Sequence, residues 1–277
     1  MPVNQTTPHN ITWDEFDVSS DVTLTGRTAP GGGTWTAAGG AFTVFAATDK
    51  AVVTTTATFG TLAYVVDTNP YGLKSADGII TSADIVAPTS INAYCGVVSR
   101  FSTTSNFICA RLDRKTGGSV SIILAYKNGS TSFTDVQTVD LGVYDPSHVF
   151  NVVLETYTSN GGATKPGSAY IYVDGKLVIS QPSTANTGLR TALSIIGYSG
   201  ILGYNNESSF DNFQSILTPY SMVKVDEDFQ EPAGTGLVAD LGWSFFTANP
   251  TNNVSTQAVV GSASRLTINQ GPQTPPG

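Results

Sequence analysis

His148-Val149-Phe150-Asn151-Val152-Val153-Leu154-Glu155-Thr156 places Phe150, Val152 and Leu154 on one side and Asn151, Val153 and Glu155 on the other. That two-residue period marks a strand lying on a core, because successive side chains leave a strand on opposite faces. Downstream, residues 169–173 run into Asp174-Gly175 and return through residues 176–180. Asp-Gly accepts the positive φ angles of a two-residue hairpin turn, so this segment reads as tightly joined antiparallel strands.

Similar runs extend in both directions, at residues 42–46, 51–58, 61–66, 83–86, 93–101, 107–112, 120–126, 133–141, 193–197 and 210–217. Turn formers separate them, and Lys127-Asn128-Gly129 is a second hairpin signal. No stretch sustains a 3.6-residue period. Short strands at regular spacing predict an all-β antiparallel sandwich or jelly roll. Residues 1–12 read as an extended lead-in and residues 13–218 as the sandwich. Residues 219–277 read as a short β-rich C-terminal extension with too few branched aliphatics to bury much by itself.

Size and composition agree with one large sheet domain. The chain has 277 residues, and sandwiches of roughly 200–250 residues fold as one unit. Only 12% of residues are charged, and Gly, Thr, Ser, Val and Asn dominate. The net charge of −8 argues against nucleic acid as a partner, since phosphate neutralisation needs clustered Lys and Arg. The densest basic run, Arg111 to Lys115, is interrupted by Asp113 and reads as solvated. No run of 18 apolar residues is present, so no membrane span is expected. The opening MPVNQTTPHN lacks the basic and apolar regions of a secretion signal.

Cys95 and Cys109 flank a hairpin. A turn centred on residue 102 would set them opposite each other and allow a bridge. A loop over residues 102–106 would pair Cys95 with Asp113 instead and leave the thiols on one face, about 13 Å apart along the strands. The second register favours two free, buried cysteines.

Five phrases recur in order: Trp13-Asp14-Glu15-Phe16-Asp17, then Gly33-Thr34-Trp35 with Gly39-Gly40, then Gly96-Val97-Val98-Ser99-Arg100-Phe101, Tyr172-Val173-Asp174-Gly175-Lys176, and Phe210-Asp211-Asn212-Phe213. Their order resembles the concanavalin A-like, laminin G-like jelly-roll superfamily over residues 12–218. The resemblance implies a structural Ca²⁺ joining first and last strands, held by Asp14 or Glu15, the Gly39 and Gly40 carbonyls, and Asp211. Hard oxygen donors of this kind suit Ca²⁺.

The family-16 glycoside hydrolases share this fold and place two catalytic carboxylates on one strand in a Glu-x-Asp-x-x-Glu run. None of the glutamates Glu15, Glu155, Glu207, Glu227 and Glu231 has that spacing, and Glu155 reads as solvent-facing. His9 and His148 have no Cys or acidic partner at ligand spacing, so zinc and a Ser-His-Asp triad lack support. Tyr198, Tyr204, Asn205 and Asn206 read as a Gly-rich loop region with the aromatic and amide groups that carbohydrate binding uses.

A second acidic-aromatic phrase, Val225-Asp226-Glu227-Asp228-Phe229, opens a module the remaining residues are too few to complete. With the low glutamate content and no export signal, this points to a non-enzymatic structural component of a virus particle. The expectation is a bacteriophage head decoration, head fibre or tail-associated adhesion protein. It would reside in the virion, assembled in the host cytoplasm, with other virion proteins or copies of itself as partners. The alternative is a carbohydrate-binding module for host surface glycans, and the third reading is a polysaccharide-active enzyme.

Overall fold

The computed structural model describes residues 11–54, 61–66, 78–158, 167–195, 197–204, 207–218, 256–259 and 266–269. They fall into two units, Met1–Met222 and Val223–Gly277. The larger is an antiparallel β-sandwich of jelly-roll type.

One sheet holds nine described strands: β1 (Ile11–Asp14), β2 (Val22–Thr23), β4 (Phe42–Phe45), β5 (Lys50–Val53), β7 (Gly78–Val86), β12 (Val149–Tyr157), β13 (Ser168–Val173), β14 (Lys176–Pro182) and β16 (Ser209–Thr218). Their order is β14-β13-β12-β7-β16-β5-β4-β2, with β1 also on β16. The other sheet holds seven: β3 (Thr34–Ala38), β6 (Thr61–Val66), β8 (Tyr94–Thr103), β9 (Asn106–Arg114), β10 (Ser119–Asn128), β11 (Thr134–Val143) and β15 (Tyr198–Gly203), in the order β11-β10-β9-β8-β15-β6-β3. In the smaller unit, β17 (Thr256–Val259) pairs antiparallel with β18 (Leu266–Asn269).

The alternating segment around Phe150 is β12. Its inward residues Phe150, Val152 and Leu154 join the core, and the Asp174-Gly175 turn after β13 carries φ of 52° and 75°, as a tight hairpin requires. Between the sheets, Trp35 meets Phe213 edge-on with ring centroids 4.9 Å apart and lies 5.7 Å from Phe16. Burial of these rings and the aliphatics around them is the main force closing the sandwich.

A polar network centred on Thr156 crosses this core. Ser99 Oγ lies 2.8 Å from Thr156 Oγ1, joining β8 to β12. Arg100, 2% exposed, donates through Nε to Thr156 Oγ1 at 3.2 Å, through Nη2 to the Thr156 carbonyl at 3.2 Å, and through Nη1 to the Ile195 carbonyl at 3.2 Å. Ser99 and Arg100 can both face inward because β8 bulges there, with Arg100 at φ 56°. The left-handed backbone costs roughly 1–2 kcal/mol, and the hydrogen bonds made by the buried guanidinium offset it.

Three expectations change. Residues 193–197 read as a strand in the sequence, but Thr187–Leu193 forms a helix, α1, capped by the Asn186 side chain accepting from the Leu189 N–H at 2.8 Å. Its length of 7 residues is too short to show a helical period, although Asn186 is a recognisable N-cap. The Gly-rich stretch after it is a central strand, β15. A Cβ on Gly200 would run into the Ala63 carbonyl, so glycine permits the close approach of β15 to β6. Finally, the bulge in β8 shifts register between Ser99 and Thr103, so that Cys95 faces Leu112 and Cys109 faces Val98. The thiols therefore sit on opposite faces of the sheet, and both are free and buried.

Replacing Arg100 with Met keeps the apolar stem but removes the donors to the buried Thr156 carbonyl and hydroxyl and to the part-buried Ile195 carbonyl. Unfolding in urea should show stability lowered by about 3 kcal/mol with an unchanged m-value. A loss below about 1 kcal/mol would show that the guanidinium does not tie the sheets together.

Candidate functional site

Beyond the main core lies a second apolar cluster on the outer face of the seven-stranded sheet. It comprises Leu62, Val98, Phe101, Phe107, Cys109, Ile123, Ala125 and Leu202, with Ala38, Tyr64, Tyr94, Phe133 and Tyr198 packed against it. Strand alternation explains most of it. Phe107, Cys109 and Arg111 of β9 face outward beside Lys127, Ala125 and Ile123 of β10, residue against residue in register. The β8 bulge supplies the rest. Two consecutive residues, Ser99 and Arg100, turn inward, so Phe101 emerges on the outer face rather than the inner one.

The rings form a continuous row. Tyr198 stacks on Tyr64 at 5.5 Å, Tyr64 contacts Phe101 at 4.5 Å, and Phe101 lies 6.1 Å from Phe107. Phe107 meets Phe133 at 5.9 Å, Phe133 meets Tyr94 at 5.5 Å, and Tyr94 stacks on Tyr204 at 5.1 Å. Phe101 and Phe107 are buried, while Tyr64, Tyr94, Phe133, Tyr198 and Tyr204 are partly exposed. Floor and upper layer thus differ in access to solvent.

Two cations flank Phe133. The Arg111 guanidinium lies 4.6 Å from its ring centre and 5.3 Å from that of Tyr94. Lys127 Nζ lies 4.7 Å from the same ring and 5.6 Å from that of Phe107. Arg111 is also clamped by carboxylates, donating from Nε to Asp113 at 2.6 Å and from Nη2 to Asp113 at 3.0 Å and to Asp135 at 3.3 Å. Burial opposes its charge, but Asp113 and then Asp135 outweigh that and hold its pKa above the ordinary arginine value. Lys127 differs: burial, helped by the neighbouring Arg111 charge, lowers its pKa.

Of the expected carbohydrate-binding residues, Tyr198 and Tyr204 stand at the two ends of this row, while Asn205 and Asn206 lie outside the described residues. Sequence reasoning misses Tyr64, Tyr94, Phe101, Phe107 and Phe133, which come from strands distant in the chain. It also takes Arg111 as solvated, whereas Arg111 is 7% exposed.

The expected calcium ligands do not converge. Asp14, fully buried, accepts from the Phe16 N–H at 2.8 Å and from Trp35 Nε1 at 2.8 Å, and pairs with Arg27. Asp211 sits against Asp84 in register, on the outward side of β16, because the left-handed Asn212 at φ 48° separates it from the inward-facing Phe213. Glu15 is exposed, and Gly39 is an exposed turn residue with φ 87°. Gly40 comes next in the chain, partly exposed. A guanidinium already neutralises the one inward carboxylate, so this donor set does not fit Ca²⁺. No cluster of three or more His, Cys, Asp or Glu side chains occurs among the described residues.

Other acidic groups also differ from expectation. Glu155, on the outward side of β12, is half-buried and accepts from the Tyr157 hydroxyl at 3.3 Å, and burial pushes its carboxyl above the usual range. His148 does have an acidic neighbour, Asp174 at 3.0 Å, but both are over 40% exposed on the sandwich rim.

No protein-family model and no curated protein sequence matches this chain. Several solved structures are similar to it. An alginate lyase in complex with an alginate tetrasaccharide is 9% identical with a TM-score of 0.45, the match spanning 76% of this chain and 97% of the lyase. An endo-1,3-beta-glucanase from Streptomyces sioyaensis is 10% identical with a TM-score of 0.43, over 76% of this chain and 99% of the enzyme. A structure concerning botulinum neurotoxin type C and its interaction with two ganglioside molecules is 13% identical with a TM-score of 0.41, over 73% of this chain and 49% of the toxin chain.

The expectation of a non-enzymatic virus-particle component is corrected by these neighbours, which are polysaccharide-active or ganglioside-binding proteins. Absence of one carboxylate spacing excludes one hydrolytic mechanism and not enzymatic activity in general. The incomplete second phrase at residues 225–229, on which the virion reading leans, lies outside the described residues. At such low identity and TM-scores below 0.5, the likeness carries no activity across. No helix among the described residues is long and apolar enough to cross a membrane.

Burial raises both thiols to a pKa of about 12, and Cys109 lies beneath the aromatic layer. Because the thiolate is the reactive form, a disulfide-exchange reagent at pH 8 should label neither cysteine until the protein unfolds. Fast labelling of Cys109 in the native state would show that the ring layer opens.

Proposed function

We propose that this protein is a carbohydrate-binding protein whose binding surface is the outer face of the seven-stranded sheet. The observation carrying the reading is the unbroken row of seven rings from Tyr198 to Tyr204, upper members partly exposed and lower members buried. Sugar rings present flat C–H faces that pack on aromatic faces, with hydroxyls at the edge for hydrogen bonding. Tyrosine suits both needs, offering an apolar ring and a polar tip. A sheet adds rigidity: rings fixed on neighbouring strands lose little freedom on binding.

Polar groups lie beside the rings, at the Arg111 guanidinium, Lys127 Nζ and the Asp135 carboxylate, which is 47% exposed. A few placed polar groups among aromatic walls is the usual composition of a ligand site. The buried members Phe101 and Phe107 hold up the layer, while Tyr64 and Tyr198, stacked together, supply the contact at one end and Tyr94 with Tyr204 at the other.

Affinity electrophoresis against a panel of soluble polysaccharides should retard the wild-type protein on at least one of them. Tyr64→Ala and Tyr198→Ala should each weaken that retardation about tenfold or more, the cost expected of a central aromatic contact, while melting within a few degrees of wild type. New reducing ends or unsaturated products in the same samples, lost in both variants, would show that the bound chain is also cut. Full retention by both variants would remove the sugar site from this face.

A further inference from the structure

The two cations on this face are not equivalent. Arg111 has its charge matched by Asp113 and Asp135. Lys127 is 9% exposed, takes part in none of the ion pairs among the described residues, and its ammonium donates no side-chain hydrogen bond to a described residue. Its ammonium lies over the rings of Phe107 and Phe133. Cation–π contacts offset part of the cost of partly desolvating a charge, but the three donors of this ammonium have no acceptor among the described protein groups, and water alone is left to them.

We propose that the carbohydrate recognised on this face is acidic, and that Lys127 Nζ pairs with its carboxylate or sulfate group. This inference rests on the carbohydrate-binding reading of the face. Lys127 sits where the row of rings passes from Phe107 to Phe133, so a sugar stacked on the partly exposed Phe133 would bring an equatorial acidic substituent toward the ammonium. Removing an anion and a buried ammonium from water together leaves each with a partner, whereas a neutral sugar leaves the charge uncompensated. The chain's net charge of −8 repels anionic polymers at long range, so retention of an acidic chain requires a local, specific cation of this kind. Asp113 and Asp135 reinforce the point. They consume the Arg111 charge and leave Lys127 as the site's uncompensated cation among the described residues.

The test compares three oligosaccharides of equal length: an oligogalacturonate, its carboxyl-reduced neutral counterpart, and a sulfated dextran fragment, by calorimetric titration of the full chain. Wild type should bind the oligogalacturonate or the sulfated fragment at least tenfold more tightly than the neutral chain, and the preference should fall as salt rises. The better acidic ligand identifies carboxylate or sulfate as the recognised group. Lys127→Met should remove the preference for the acidic chain, and Lys127→Arg should restore part of it. Retained protection of Cys109 from thiol reagents reports that each variant is folded. Equal wild-type affinity for acidic and neutral chains, or an unchanged preference in Lys127→Met, would overturn the inference but leave the carbohydrate site standing. Loss of all binding in Tyr64→Ala with the preference intact in wild type supports both. No binding of any chain by wild type would overturn the carbohydrate site, and the inference with it.

Discussion

The Arg100 bulge sets both sides of this sandwich. Its guanidinium spans from β8 to the Thr156 carbonyl and hydroxyl of β12, fastening the seven-stranded sheet to the nine-stranded one. A long, always-charged side chain between two apolar sheets is tolerable only when fully hydrogen-bonded, and the left-handed backbone at φ 56° is the geometry that delivers it inward. That local turn also inverts the facing of the next residues of β8, and Phe101 is released to the outer face to join Tyr64 and Phe107. Core cohesion and the aromatic surface are thus consequences of one irregularity.

The outer face obeys a consistent electrostatic logic. Asp14 inside the sandwich is matched by Arg27 and by Trp35 Nε1, and Arg111 outside is matched by Asp113 and Asp135. Buried charges in the described sandwich are therefore paired or hydrogen-bonded as physical chemistry demands. Lys127, at the edge of burial, is in no ion pair among the described residues and lies over the rings of Phe107 and Phe133, which makes it the group on this face with most to gain from an external anion.

Much of the fold is legible in the residues. The alternation of 148–156 and the Asp174-Gly175 turn correspond to β12 and the β13–β14 hairpin, since both depend on neighbours a few positions apart. Tyr198 and Tyr204 stand out in the sequence as aromatic candidates, and they do end the ring row. The middle of the row is not legible. Tyr64, Tyr94, Phe107 and Phe133 look in sequence like ordinary sheet aromatics, and nothing local says that β6, β8, β9 and the residue just before β11 will contribute to one face. The calcium set fails for a related reason. Asp14 pairs in register with Phe213, two residues from Asp211, but the left-handed Asn212 puts Asp211 on the outward side while Asp14 points inward.

Strand type, turn chemistry, the acidic balance and the lack of a Glu-x-Asp-x-x-Glu run belong to the amino-acid sequence by itself, because each is set by residues within a few positions of one another. Which strands become neighbours, and which face each side chain takes, were decided only in the folded sandwich. Facing along a strand has period two, so a single extra residue such as the bulge at Arg100 reverses it for the remainder of the strand. Whether a cation finds a carboxylate depends on contacts between segments far apart in the chain, and here those contacts matched Arg111 and left Lys127 over the rings of Phe107 and Phe133.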